Sequence, residues 1–314
     1  MGIEVSPPAV GRRAVVQREF KVMGCRSFIV VHGGDEGMLE TAEARLRQLE
    51  SWWSRFLDDS DVTRANRSPG MPVVVHEDTL AVVSRAVLAW RQTEGRFDIT
   101  VLPALLQHGY THSTTTHAPA PAIVGSRVGF SAMISWDYAA STLTVPANSA
   151  IDLGGIGKGM AADIVAEELI EAGATGVVVN VGGDLVVLGT PDDDDSWYMG
   201  IEDPRNPPSH VAVLRMQCGA MASSGTTIRN WQRPDGTTAH HLIDPVSLLP
   251  TNSGVINATV LAADAATAEA FATSAMMLPG PAAIVMLEQM GLAGLTVDTD
   301  GVVYTTSTLK DFTV

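Results

Sequence analysis

Between Ile151 and Ala162 the chain reads IDLGGIGKGMAA, a glycine-rich loop that holds one acid and one lysine and runs into a helical pattern. Glycine permits backbone conformations and close ligand approach that other residues resist. Lys158 brings a point positive charge suited to phosphate, and the adjacent helix start offers unpaired N–H groups. Together they suit a phosphorylated ligand. The loop is not a Walker A sequence, because Lys158 is followed by Gly159 and the spacing GxxxxGK[ST] is absent, and it does not read GxGxxG.

A second segment with chemical capacity is Ser223–Pro245, SSGTTIRNWQRPDGTTAHHLIDP. Ser223, Ser224 and Thr226 can donate to phosphate or to flavin-like carbonyl groups. His241 can accept a proton near neutral pH, and Asp244 can orient a donor or hold the turn before Pro245. The spacing alone equally permits a histidine that caps a loop and an aspartate that makes its turn. The third segment is Thr267–Thr273, TAEAFAT. In a helix, Glu269 and Thr273 lie four apart on one face. Carboxylate, hydroxyl and backbone oxygens suit Mg²⁺; a solvent-edge glutamate and a threonine bonded back to its own helix would leave the same pattern.

The elements that must position these residues are legible in part. A strand spans Glu19–Val31 with an interruption at Met23-Gly24-Cys25, and Glu36–Phe56 reads as a helix from Leu39, Ala42, Leu46, Leu49 and Trp53. Ser60–Gly70 reads as a loop, Val73–Val75 as a short strand, Asp78–Thr93 as a helix and Gly95–Thr100 as a turn before a short apolar stretch. Thr111–Pro121 is a low-complexity exposed loop whose histidines, His112 and His117, lack convincing metal partners. Short strands are expected within Gly129–Val145, a helix at Ala161–Ala172, and a hairpin over Gly176–Leu188 turning at Gly182-Gly183. Strands follow near Trp197–Ile201, Val211–Met216 and Asn257–Ala262, then a helix at Ala265–Met277 and β elements near Gly291–Thr305. The mixture predicts an α+β fold with mixed or antiparallel sheets and packed helices, because a doubly wound sheet needs long apolar strands alternating with regular helices. Residues 1–18 read as a flexible segment and 19–314 as one domain with room for two lobes.

Bulk properties narrow the partners. A chain of 314 residues, 46% hydrophobic, can bury a full core, and its net charge of −15 argues against nucleic acid. The acidic runs Asp58–Asp61 and Asp192–Asp195 read as solvated loops. Cys25 and Cys218 offer no disulfide framework. Neither a signal-length apolar stretch nor a membrane-spanning run is present, so the expectation is a cytoplasmic protein with no membrane span.

In their order along the chain, these segments resemble the bacterial family of FAD:protein FMN transferases, the ApbE family. The resemblance rests on Met23-Gly24-Cys25, SRFLDDSDVTRAN (Ser54–Asn66), GRFDITVLPAL (Gly95–Leu105), IDLGGIGKGMAAD (Ile151–Asp163) and VNVGGDLVVLG (Val179–Gly189). It continues through SSGTT (Ser223–Thr227), HLIDP (His241–Pro245) and AEAFAT (Ala268–Thr273). It implies an ApbE-like, T-fold-related architecture. It also implies an enzyme that cleaves FAD with Mg²⁺, attaches FMN to a threonine or serine of an acceptor protein and releases AMP. The FAD pocket would comprise Met23, Asn66, Phe97, Asp98, Asp152, Lys158, Asp163, Ser224 and Gly225; Asp244, from the turn before Pro245, is a further cofactor-binding candidate, and Met23 and Phe97 are candidates to pack the flavin. The metal would take the Gly155 carbonyl, Glu269 and Thr273; His241 would be the base, and Lys158 would assist electrostatically. The family helix usually carries Asp where this chain has Glu269, one methylene longer. An FAD pyrophosphatase or a noncatalytic flavin carrier would share most of these motifs.

Overall fold

The computed structural model describes residues 14–112, 119–123, 125–126, 128–191, 196–232 and 236–314. The chain opens with a hairpin, β1 (Val15–Val22) and β2 (Cys25–His32), whose turn places Met23 and Gly24 at positive φ. β1 begins four residues before the domain boundary expected from sequence. Next come α1 (Glu36–Trp53), α2 (Asp61–Arg67), β3 (Val73–Val74) and α3 (Glu77–Gln92). A 3₁₀ turn at Ile99–Val101 leads into α4 (Leu102–Gln107); β4 (Ser135–Asp137) and β5 (Thr142–Thr144) form a small sheet with β3. The glycine loop then delivers α5 (Gly157–Glu171), followed by β6 (Gly176–Val181), β7 (Asp184–Gly189), β8 (Trp197–Glu202) and β9 (His210–Met216). The last third contains β10 (Gly219–Gly225), β11 (Asn230–Gln232), β12 (Thr238–His240) and β13 (Val255–Ala262). It closes with α6 (Ala265–Ala275), α7 (Gly280–Gln289), β14 (Ala293–Asp298) and β15 (Val303–Thr305).

Among the described residues the main sheet has eight strands in the order β1-β2-β6-β7-β10-β13-β14-β15, with every neighbouring pair antiparallel. The α+β expectation is met. Both faces are covered, which explains why β6 reads as the run GVVVNV rather than an alternating pattern. Val177, Val179 and Val181 join the core that includes α1, α3 and α5. Val178 points the other way, onto Trp197, Met199 and Leu214 of the β8–β9 hairpin.

Several elements differ from the sequence expectation for local reasons. Ser60–Gly70 is largely helical: the Ser60 hydroxyl accepts from Thr63 N at 3.0 Å and so caps α2. Asp61, read as part of a solvated acidic loop, is instead buried. It accepts from His76 N at 2.8 Å and Thr79 Oγ1 at 2.6 Å, while Asp58 remains exposed and paired with Arg67. α5 starts four residues earlier than expected, at Gly157 within the glycine loop. α7 had no counterpart in the sequence reading. Residues 113–118, with His117, and the run Asp192–Asp195 lie outside the described residues.

α5 and α6 cross where Gly159 removes a side chain. A Cβ there would lie 2.3 Å from the Ala265 carbonyl oxygen, a backbone atom that cannot rotate aside. Gly159→Ala is therefore expected to destabilise the protein by about 1–3 kcal/mol. A urea midpoint equal to that of the wild type would refute this reading of the crossing.

Candidate functional site

The elements converge on a cavity of about 600 Å³. Its walls come from the β1–β2 turn, the C-terminal end of α1, Phe97-Asp98, the glycine loop and first turn of α5, the end of β10, the segment His241–Pro245 and α6. Twelve sequence-nominated residues line it: Met23, Phe97, Asp98, Asp152, Gly155, Lys158, Ser223, Ser224, Gly225, His241, Glu269 and Thr273. Residues separated by as much as 250 positions thus share one wall.

The floor is ionic. Lys158 Nζ donates to both Asp184 and Glu269, whose side chains are 1% and 2% exposed. The second Glu269 oxygen accepts from Gly159 N at 2.8 Å, so the carboxylate is gripped from two sides. Burial alone would lower the Lys158 pKa, but Asp184 and Glu269 outweigh it and hold the ammonium charged. Burial raises the Glu269 pKa against the pull of Lys158. Beside this cluster lie further oxygens. Ser224 Oγ is 3.3 Å from Thr273 Oγ1, and a Cβ built on Gly155 would approach Thr273 Oγ1 to 3.4 Å and the Phe97 ring to 3.0 Å. Glycine at 155 is thus what lets its backbone share the space with both side chains.

The flank of the cavity is a second charged layer. Arg55 Nε meets Asp152 Oδ2 at 2.7 Å, and the other Asp152 oxygen accepts from Gly154 N at 2.6 Å, shaping the glycine loop. The guanidinium lies over Phe56 and Tyr110, 4.1 and 4.7 Å from their ring centroids, and Tyr110 stacks on Trp231. Asp98 Oδ1 accepts from Thr100 N, Thr100 Oγ1 and Ser131 Oγ, whereas its buried Oδ2 has no partner among the described residues. A buried acceptor left open in a cavity wall fits a donor carried by a ligand.

His241 lines the same cavity. Its Nδ1 is 3.3 Å from the Arg229 carbonyl, which can only accept, so Nδ1 carries the proton and Nε2 is left as an acceptor. Burial and then the Arg229 charge push its pKa down from 6.5 to about 3. The imidazole is therefore neutral throughout the physiological range.

Three nominated residues sit behind the cavity instead of on its surface. Asn66 clamps the entry to the glycine loop, with Oδ1 accepting from Ile151 N at 2.7 Å and Nδ2 donating to Ile151 O at 2.8 Å. Asp163 accepts from Ala265 N and Ala266 N at 2.7 and 2.9 Å, tying α5 to the start of α6. Asp244 accepts from Val246 N and Ser247 Oγ, both at 2.9 Å, and so holds the turn beyond His241. Sequence reasoning missed Asp184, Arg55, Arg229 and Tyr110. An acid at the head of the apolar strand LVVL, and an arginine between Trp53 and Phe56, were the signals available.

Known proteins resemble this chain over most of its length. The chain is 29% identical over 250 residues to an FAD:protein FMN transferase of Vibrio cholerae, covering 78% of this chain and 74% of that one. It is 27% identical to the protein of the same name from Salmonella typhimurium, covering 96% and 89% of the two chains. The crystal structure of the ApbE protein from Thermotoga maritima superposes with a TM-score of 0.84 at 25% identity, over 95% of this chain and 99% of that one. The apo flavinyl transferase ApbE of Pseudomonas stutzeri has the same fold, with a TM-score of 0.82 at 22% identity over 97% and 98%. The ApbE family model matches residues 23–296, from the first turn that lines the cavity to the penultimate strand of the main sheet, and the chain belongs to the ApbE family.

Proposed function

We infer that this chain is an FAD:protein FMN transferase, with FAD as its substrate and an acceptor protein as its partner. The observation that carries the reading is a single cavity whose lining brings together His241, whose Nδ1 is engaged by a carbonyl, with Lys158 and with the oxygen groups of Glu269, Thr273 and Ser224, a set suited to a pyrophosphate held with a divalent cation.

In the proposed reaction a threonine or serine hydroxyl of the acceptor attacks the phosphorus on the FMN side of FAD. A new P–O bond forms, the bond from that phosphorus to the bridging oxygen breaks, and AMP departs with the bridging oxygen. His241 Nε2 takes the hydroxyl proton as attack proceeds, while Nδ1 keeps its own proton and donates it to the Arg229 carbonyl. A pKa of about 3 belongs to the protein without substrate; two phosphate charges facing the ring raise it and make it a stronger base. Lys158 stabilises charge on the phosphates. The unpaired Asp98 Oδ2 accepts a donor from FAD, and Met23 and Phe97 pack against its flavin. Asn66, Asp163 and Asp244 act by fixing the glycine loop, α6 and the His241 turn.

The all-oxygen set of the Gly155 carbonyl, Glu269 and Thr273, with Ser224 next to Thr273, fits a hard divalent cation. Those groups would hold Mg²⁺, which supplies charge neutralisation to a pyrophosphate when bound.

The test is incubation with FAD and Mg²⁺, with and without an acceptor protein that carries a threonine-containing flavinylation segment. An acceptor mass increase of one FMN residue, dependent on the cation, is the expected result. FMN and AMP in solution with an unlabelled acceptor would replace transfer by hydrolysis. FAD bound but intact would leave only a flavin carrier.

A further inference from the structure

Lys158 reaches its two carboxylates from α5, while Asp184 opens β7 and Glu269 belongs to α6. One ammonium thus serves two buried acids, and the three carry one negative charge in excess. Among the described residues the Asp184 carboxylate has no hydrogen-bonding partner besides Lys158, and the Lys158 ammonium none besides Asp184 and Glu269. Glu269 is different, because Gly159 N fixes its other oxygen and the carboxylate cannot turn to follow a new partner. A divalent cation that takes Glu269 therefore arrives at an oxygen already held by an ammonium. Two cations a few ångströms apart repel strongly even where the effective dielectric is high. The lysine is the partner able to move, since its ammonium ends a flexible four-carbon stem and already reaches a second carboxylate, Asp184.

We propose that Lys158 and the divalent cation compete for Glu269, and that Asp184 is the positioning residue that receives Lys158 when it yields. Without the cation, Lys158 is the resident counter-ion that makes two buried acids tolerable. When the cation binds, Lys158 withdraws to Asp184 alone, and its ammonium is freed from Glu269 to meet a phosphate. This inference rests on the assignment of Glu269 as a metal ligand under the proposed function.

The experiment is a titration of the full chain with Mn²⁺ at pH 8 and low salt, without FAD, following the electron paramagnetic resonance signal of the free ion. K158M is expected to bind Mn²⁺ about tenfold more tightly than the wild type, and D184N about tenfold more weakly, because Lys158 then has only Glu269 to hold. A purely structural role would weaken binding in both. Should K158M fail to fold with two unpaired acids, D184N and K158M/D184N carry the test, and removing the lysine must again tighten binding about tenfold. Unchanged or weaker binding on loss of Lys158, in either background, overturns the competition while leaving the metal site intact. No saturable binding by the wild type overturns the metal assignment itself and this inference with it.

Discussion

His241→Ala is expected to slow FMN transfer by about 10²–10⁴-fold while leaving FAD bound, because in the proposed reaction the imidazole handles the acceptor's proton rather than the nucleotide. Single-turnover labelling followed by intact mass reads the rate, and flavin fluorescence reads the binding. The pH profile gives an independent check. In the substrate-free protein the His241 pKa is pushed down to about 3, so kcat/KM for FAD shows no acid limb from this residue near pH 6.5. In the loaded protein the phosphates raise the pKa, and kcat falls as pH drops through that higher value because a protonated ring cannot accept. A limb near pH 6.5 in kcat/KM that disappears in H241A would contradict the buried, neutral state described above. The same shift affects stability. The folded value lies below the unfolded value of 6.5, so unfolding takes up a proton between pH 3 and 6.5. Stability contributed above pH 6.5 is lost as pH falls through that window, and H241A should lose less.

The second large effect is on stability. Arg55→Met is expected to cost about 3–5 kcal/mol, since Asp152 would keep a largely buried charge with no cation beside it. Arg55 also donates to the Tyr110 carbonyl at 3.0 Å and fills the space between two aromatic rings. Methionine restores much of the volume, so most of the loss should be electrostatic. Urea unfolding of R55M, D152N and the double variant separates the two contributions. The double variant should be more stable than R55M alone; if it is less stable, the bond from Gly154 N to Asp152 outweighs the cost of the unpaired charge. FAD affinity should fall in R55M because Asp152 also sets the Gly154 end of the glycine loop.

Residues whose role follows from local chain geometry were the legible ones. Lys158 beside a glycine-rich helix start, and Glu269 four residues from Thr273, announce themselves by type and spacing, and both pairs do face one cavity. The segments α1, α3 and α6 were equally plain. α7 was not, since GPAAIVMLEQ is apolar almost throughout and shows little contrast between faces. α2 was hidden for the opposite reason: its sequence DVTRANR is polar, and only the Ser60 cap and the burial of Asp61 reveal it as a helix. Asp184 lies within the segment VNVGGDLVVLG, but nothing local says that the start of β7 faces Lys158. That needs the β6–β7 hairpin to pack under α5. The resemblance places Asn66 and Asp163 in the pocket, whereas their hydrogen bonds go to the backbone that shapes it, and Asp244 holds the turn before which its spacing sets it.

The pairing of β2 with β6 sets residue 27 against residue 181, with α1 to α5 and the whole small sheet between them in sequence. Closing so long a loop costs chain entropy before any contact offsets it, and folds dominated by such distant pairings form slowly. On the ribosome the earliest wall of the cavity, the Met23 turn, waits for α6 to emerge before Glu269 and Thr273 can join it. FAD therefore has no binding site on a partial chain. It stabilises only the finished fold, by mass action, and cannot guide the steps that lead there.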